Sequence, residues 1–204
     1  MKRLVSLILA AGLAASSAAA APPPPAAAPV ASIDPRVKFK DGERYLRDLS
    51  DGLGVPRESI CKEMSQYDCF SDAFRIVLGG VEGPNLLVNS PLEQAPLTAP
   101  IAVDRVALHA CTARVDLDVA TPAQARLLKG GGRGAPGAAW KQATTLRIYD
   151  AILRRAPTAD ETRRLVAFYD EVAQGRPARS PEVKRDWVIL GCFAAASSLE
   201  AIFY

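Results

Sequence analysis

Trp187-Val-Ile-Leu-Gly-Cys-Phe-Ala-Ala-Ala-Ser-Ser-Leu-Glu-Ala-Ile-Phe-Tyr204 decides the fold. These eighteen residues carry one charge, Glu200, and follow closely on Lys184 and Arg185. Their length lies near the lower limit for a membrane span. Glu200 and the small-residue patch 194–198 favour a different use. A helix apolar on every side suits the centre of a bundle, where small residues let neighbouring helices come close. The expectation is a buried core helix starting at Ser180-Pro181. Membrane association through 187–204, as a C-terminal anchor, is the alternative.

Outward from this segment the signals are helical. Tyr45, Leu46, Leu49 and Leu53 recur with a period near 3.6, Gly52 and Gly54 end that helix, and Pro56 opens the next. Ile60, Met64, Tyr67, Phe70, Phe74, Val77 and Leu78 continue an apolar stripe over roughly six turns, to Gly79-Gly80. A further helix is predicted over 101–113. Residues 114–119 alternate polar and apolar but have no partner strand, so they read as extended loop. Thr121-Pro122-Ala123-Gln124 predicts a capped helix reaching Lys129. Another helix covers 140–154. Thr158-Ala-Asp-Glu161 is the cleanest capping box and opens a helix carrying Leu165, Val166, Phe168, Tyr169 and Val172. The fold class that results is all-α, an irregular, disulfide-braced bundle of about six to seven helices.

Met1-Lys2-Arg3, an apolar run over 4–13 and small residues over 14–20 predict a signal peptide over 1–20, with the cut after Ala20. An Ala/Pro-rich linker, 21–33, favours extended backbone. Residues 34–204 make a single helical domain of roughly 170 residues, enough to bury a core. The expected location is periplasmic or secreted, and the Ala, Arg and Pro richness suits a bacterium with a GC-rich genome.

Export permits disulfides, and all four cysteines follow the predicted cut. If Cys61 and Cys69 shared one continuous helix they would stand about 12 Å apart along its axis. That exceeds the reach of a disulfide, about 7 Å between Cα atoms, and they would pair with Cys111 and Cys192 instead. If the chain turns near Tyr67-Asp68, Cys61–Cys69 forms and leaves Cys111–Cys192. The eight-residue spacing favours this local staple. No C-x-x-C spacing occurs, so no zinc site is expected.

Twenty-five basic and 22 acidic residues leave a net charge of +3, too balanced for a nucleic-acid footprint. One histidine, His109, argues against a multi-histidine metal site, and no metal or cofactor is expected. The glycine-rich run 130–137 has Lys129 and Arg133 beside it but lacks the P-loop order, and reads as a flexible loop. No G-x-S-x-G supports Ser-His-Asp catalysis. No catalytic residue is assigned, and a small hydrolase-type enzyme using His109 with a carboxylate stands as the rival function. Loops carry function more often than cores do. Loop 81–100, with Asn85 and Asn89, and loop 130–137, with Arg133, therefore supply the candidate binding residues.

Ile148-Tyr149-Asp-Ala-Ile-Leu153-Arg-Arg155-Ala-Pro157-Thr158-Ala-Asp-Glu161 resembles a helix-turn-helix pattern found in helical domains of large exported bacterial proteins that often carry cytochrome c modules. This chain has no haem-attachment motif. The resemblance implies an exported helical module beside a redox or envelope complex and transfers no catalytic residue. The expected function is an exported, non-catalytic binding or accessory module of the bacterial cell envelope, presenting loops 81–100 and 130–137 to an envelope protein partner.

Overall fold

A computed structural model describes residues 39–79, 96–130, 134–177 and 180–203, all within one unit, Arg36–Tyr204. Asp41 opens the first helix, α1 (Gly42–Leu53), by accepting the Arg44 backbone N–H at 2.7 Å. Its stripe of Tyr45, Leu46, Leu49 and Leu53 faces the core as the spacing predicts. Gly54 ends it in the left-handed conformation that favours glycine.

The stripe over 60–78 does not form one helix. A two-strand hairpin, β1 (Lys62–Glu63) with β2 (Tyr67–Asp68), reverses the chain, and a wide helical turn over Cys69–Ala73 follows. Asp68 accepts the backbone N–H groups of Phe70 and Ser71 at the start of that turn. The Cys61–Cys69 disulfide overrides the helical spacing, because a continuous helix would hold the two cysteines too far apart.

The second helix, α2 (Ala99–Ala120), is longer than expected and absorbs residues 114–119, which read as extended loop. Arg114 and Asp118 explain the difference. Four residues apart on a helix they meet at 2.7 Å, both buried. The capped helix expected after Thr121 is only a three-residue turn, Pro122–Gln124. The Thr121 hydroxyl donates backwards to the Leu117 carbonyl instead of capping forwards. Asp118 then holds the next segment, accepting the backbone N–H groups of Arg126, Leu127 and Leu128 at 2.8–2.9 Å.

Helices α3 (Ala138–Leu153) and α4 (Ala159–Val172) match the sequence expectation. The capping box at Thr158 is complete: its hydroxyl accepts the Glu161 N–H, and Glu161 accepts the Thr158 N–H at 2.6 Å. Segment 187–204 divides. Helix α5 (Pro181–Ala196) stops at Ser197, whose hydroxyl donates to the Phe193 carbonyl, and Ser198 caps a short α6 (Leu199–Ile202). Among the described residues no helix is long and apolar enough to cross a membrane.

Helix α5 is central and packs on α2, α3, α4 and α6. The second disulfide, Cys111–Cys192, bonds it to α2. Trp187 is fully buried, lies against Trp140 and Tyr169, and donates its indole N–H to the Leu165 carbonyl at 2.9 Å. Truncating such a side chain to alanine costs about 3–5 kcal/mol. Tyr45 reaches from α1 to donate to the Ala196 carbonyl, and burial pushes its hydroxyl pKa well above the usual tyrosine range. Ahead of α1 and after α6, Phe39 pairs with Phe203 edge to face, and the Lys40 N–H donates to the Ile202 carbonyl. The result is a mostly helical, disulfide-braced fold.

Candidate functional site

The hairpin that replaced the expected helix builds a distinctive surface among the described residues. Lys62 pairs with Asp68 and Glu63 with Tyr67, while the Gln66 N–H donates to the Glu63 carbonyl across the tip. The two central residues of this turn, Met64 and Ser65, have φ of 51° and 62°. Such turns favour Asn-Gly, because a side chain in the left-handed region costs on the order of 1–2 kcal/mol. The disulfide at the hairpin base, with Cα atoms 5.5 Å apart, holds the turn closed despite that cost.

The strained tip gains nothing in packing. Met64 is 84% exposed and Tyr67 is 52% exposed. On α2, opposite the hairpin, Ile101 is 63% exposed. A bidentate ion pair fixes the hairpin to α2: Arg105 donates to both Glu63 oxygens, at 2.6 and 2.8 Å. These hydrogen bonds hold the Glu63 carboxyl below the usual carboxylate range, and the positive charge of Arg105 acts in the same sense.

An open groove lies on each side. The first, about 500 Å³, has an apolar wall of Met64, Tyr67, Phe74 and Ile101, with Glu63, Asp72 and Arg105 as its charged members. The second, about 490 Å³, is polar and includes Glu58, Lys62, Ser65, His109, Thr112 and Asp116. Met64 and Ser65, adjacent in the turn, therefore serve different grooves. His109, Thr112 and Asp116 are three and four residues apart along α2, so they share one helix face. Asp116 is already engaged by Arg185 of α5 at 2.7 Å.

The structure joins all four cysteines, as Cys61–Cys69 and Cys111–Cys192, the pairing favoured from the eight-residue spacing, but the chain reverses at Met64-Ser65 and Tyr67-Asp68 forms the returning strand. Asn85, Asn89 and Arg133 lie outside the described residues, as do most of loop 81–100 and part of loop 130–137. His109 is exposed and reaches the polar groove. Among the described residues, the one cluster compact enough to share a metal ion is Cys61, Glu63 and Cys69. Both sulfurs are bonded to each other and Glu63 is bound by Arg105, so no thiolate is free there.

The sequence pattern placed Met64 and Tyr67 on the apolar stripe of a helix, and so missed them as surface residues; Phe74, from the same stripe, is half-buried against the core. The signal that exposes them is the cysteine spacing itself. Seven residues between bonded cysteines leave room for a tight hairpin, and its tip must then point outwards. No protein-family model matches the chain, and no curated protein or solved structure matches it.

Proposed function

We propose that this chain is an exported, non-catalytic binding or accessory module of the bacterial cell envelope. The observation that carries the binding role is the disulfide-held hairpin, which presents Met64 on a strained turn beside an apolar groove. Methionine is adaptable and recurs at protein-binding surfaces. A rigid tip loses little freedom on association. Export is supported by the basic, apolar and small-residue succession over 1–20 and by the resemblance over 148–161. Two disulfides are compatible with an oxidising compartment. Loops 81–100 and 130–137, with Asn85, Asn89 and Arg133, remain proposed parts of the partner surface.

The test is recovery of partners from envelope extracts after mild cross-linking, with the wild type and Met64→Lys compared. A stoichiometric partner, recovered by the wild type and lost by the variant, is the expected result. A soluble monomer that recovers no partner argues against this function.

One observation favours the hydrolase-type alternative: His109 shares a groove with Glu58 and Asp116. If envelope substrates are hydrolysed by the wild type and not by His109→Ala, the enzyme reading replaces the binding one. Membrane attachment through 187–204 is less favoured, because Trp187, Val188 and Cys192 fill the bundle centre.

A further inference from the structure

The apolar groove carries a charge that identifies its occupant. Glu63 is neutralised by Arg105 at the edge of the groove. Asp72 is not neutralised: one of its oxygens accepts the Asp68 N–H, and no cation pairs with it among the described residues. Arg75, the nearest cation in sequence to Asp72, does not line the groove. Among the described residues, the uncompensated charge beside the Met64–Tyr67–Phe74–Ile101 wall is therefore that of Asp72, and it is negative.

We infer that this groove docks a short protein segment carrying a large apolar side chain next to a lysine or arginine. The apolar side chain lies against Met64, Tyr67 and Ile101, and the cation meets Asp72, the arrangement that electrostatic complementarity favours. A protein segment suits the site better than a small molecule. The groove is open, whereas small-ligand pockets bury 70–90% or more of their ligand. The inference rests on the binding-module function and names the chemistry of the partner.

The experiment selects a random displayed-peptide library on the mature, oxidised protein, with parallel selections on Ile101→Glu and Asp72→Asn. Both substituted residues are exposed, so circular dichroism and thermal melts of the variants should match the wild type. The expected result is enrichment of peptides with Lys or Arg within four residues of a large apolar residue. Their affinity should fall about tenfold or more on Ile101→Glu, the loss typical of an anchor contact at an interface, and by a smaller factor on Asp72→Asn. Enriched peptides that bind both variants unchanged overturn the groove assignment while leaving a binding role elsewhere on the surface. Acidic or uncharged motifs overturn the assigned charge. No enrichment over Ile101→Glu, together with concentration-dependent self-association that Ile101→Glu abolishes, identifies a second copy as the occupant and overturns the partner segment. No enrichment without self-association overturns both the groove and the binding function.

Discussion

Cys111 in α2 is bonded to Cys192 in α5, with Cα atoms 5.8 Å apart, so the longest of the described helices is tied covalently to the central one. The cysteines are 81 residues apart in sequence, against 8 for Cys61–Cys69. A cross-link stabilises partly by restricting the unfolded chain, and longer loops gain more. Replacing Cys111 and Cys192 by alanine should remove about 4.5 kcal/mol, and replacing Cys61 and Cys69 about 2.5 kcal/mol. Urea melts of the two double variants give the order, and a larger loss from the hairpin pair would contradict this assignment of the global brace.

Gly52 is where α1 meets the backbone of α3. A Cβ at this position would sit 2.0 Å from the Ala151 carbonyl oxygen, which a flexible side chain cannot relieve. Gly52→Ala should therefore destabilise by about 1–3 kcal/mol, the usual range for overpacking. At Gly137, the N-cap of α3, the space is open, so Gly137→Ala should cost only the weak capping preference of glycine over alanine, about 0.5–1 kcal/mol. Thermal melts of both variants compare a crowded glycine with an uncrowded one.

Asp118 accepts three backbone N–H groups and also pairs with buried Arg114. Removing one partner of a buried ion pair strands the other charge, at about 3–5 kcal/mol. Asp118→Ala additionally leaves three donors without their acceptor. It should destabilise more than Arg114→Met, because Nε of Arg114 has no hydrogen-bond partner and two of its bonds are long, at 3.3 and 3.4 Å to the Leu53 and Gly54 carbonyls. Equal losses would show that the N–H groups of 126–128 do not depend on this carboxylate.

Arg155 links three elements by donating to both oxygens of Glu161 and both oxygens of Glu200. These hydrogen bonds draw the Glu161 pKa down to about 2 and lower that of Glu200 as well. A carboxyl with a depressed folded pKa stabilises above its unfolded pKa, about 4.3, and loses that contribution as pH falls through the folded value. Stability should drop between about pH 5 and pH 2. Glu161→Gln should flatten part of that fall, by a modest amount because all three side chains are partly exposed to screening water. A wild-type and Glu161→Gln pair with identical acid profiles would remove the triad as the cause.

The sequence spoke most clearly where local chemistry acts alone. Thr158 and Glu161 cap a helix through bonds among neighbours, and the α1 stripe needs only its own spacing. It spoke wrongly where a long-range bond competes. The stripe over 60–78 fits a helix, but the disulfide bends it, and neither Met64 nor Ser65 is a residue type that announces positive φ. The alternation over 114–119 spans too few residues to exclude a helix, and the Arg114–Asp118 spacing was the better guide. Ser197 and Ser198, read as small residues in a core helix, divide that helix because their hydroxyls bond its backbone. The grooves were not legible, since each combines hairpin residues with α2 residues distant in sequence.

Site-specific photocross-linking tests the central claim most directly. A photoreactive residue replaces Met64 at the hairpin tip, and a control replaces Leu146, exposed on α3. Both proteins are irradiated in intact bacterial cells that produce the full-length chain. Adducts to one defined envelope protein from position 64, absent at position 146 and lost when Ile101→Glu is added, are the expected result. Equal adducts at both positions, or none at position 64, would contradict the hairpin face as the binding surface.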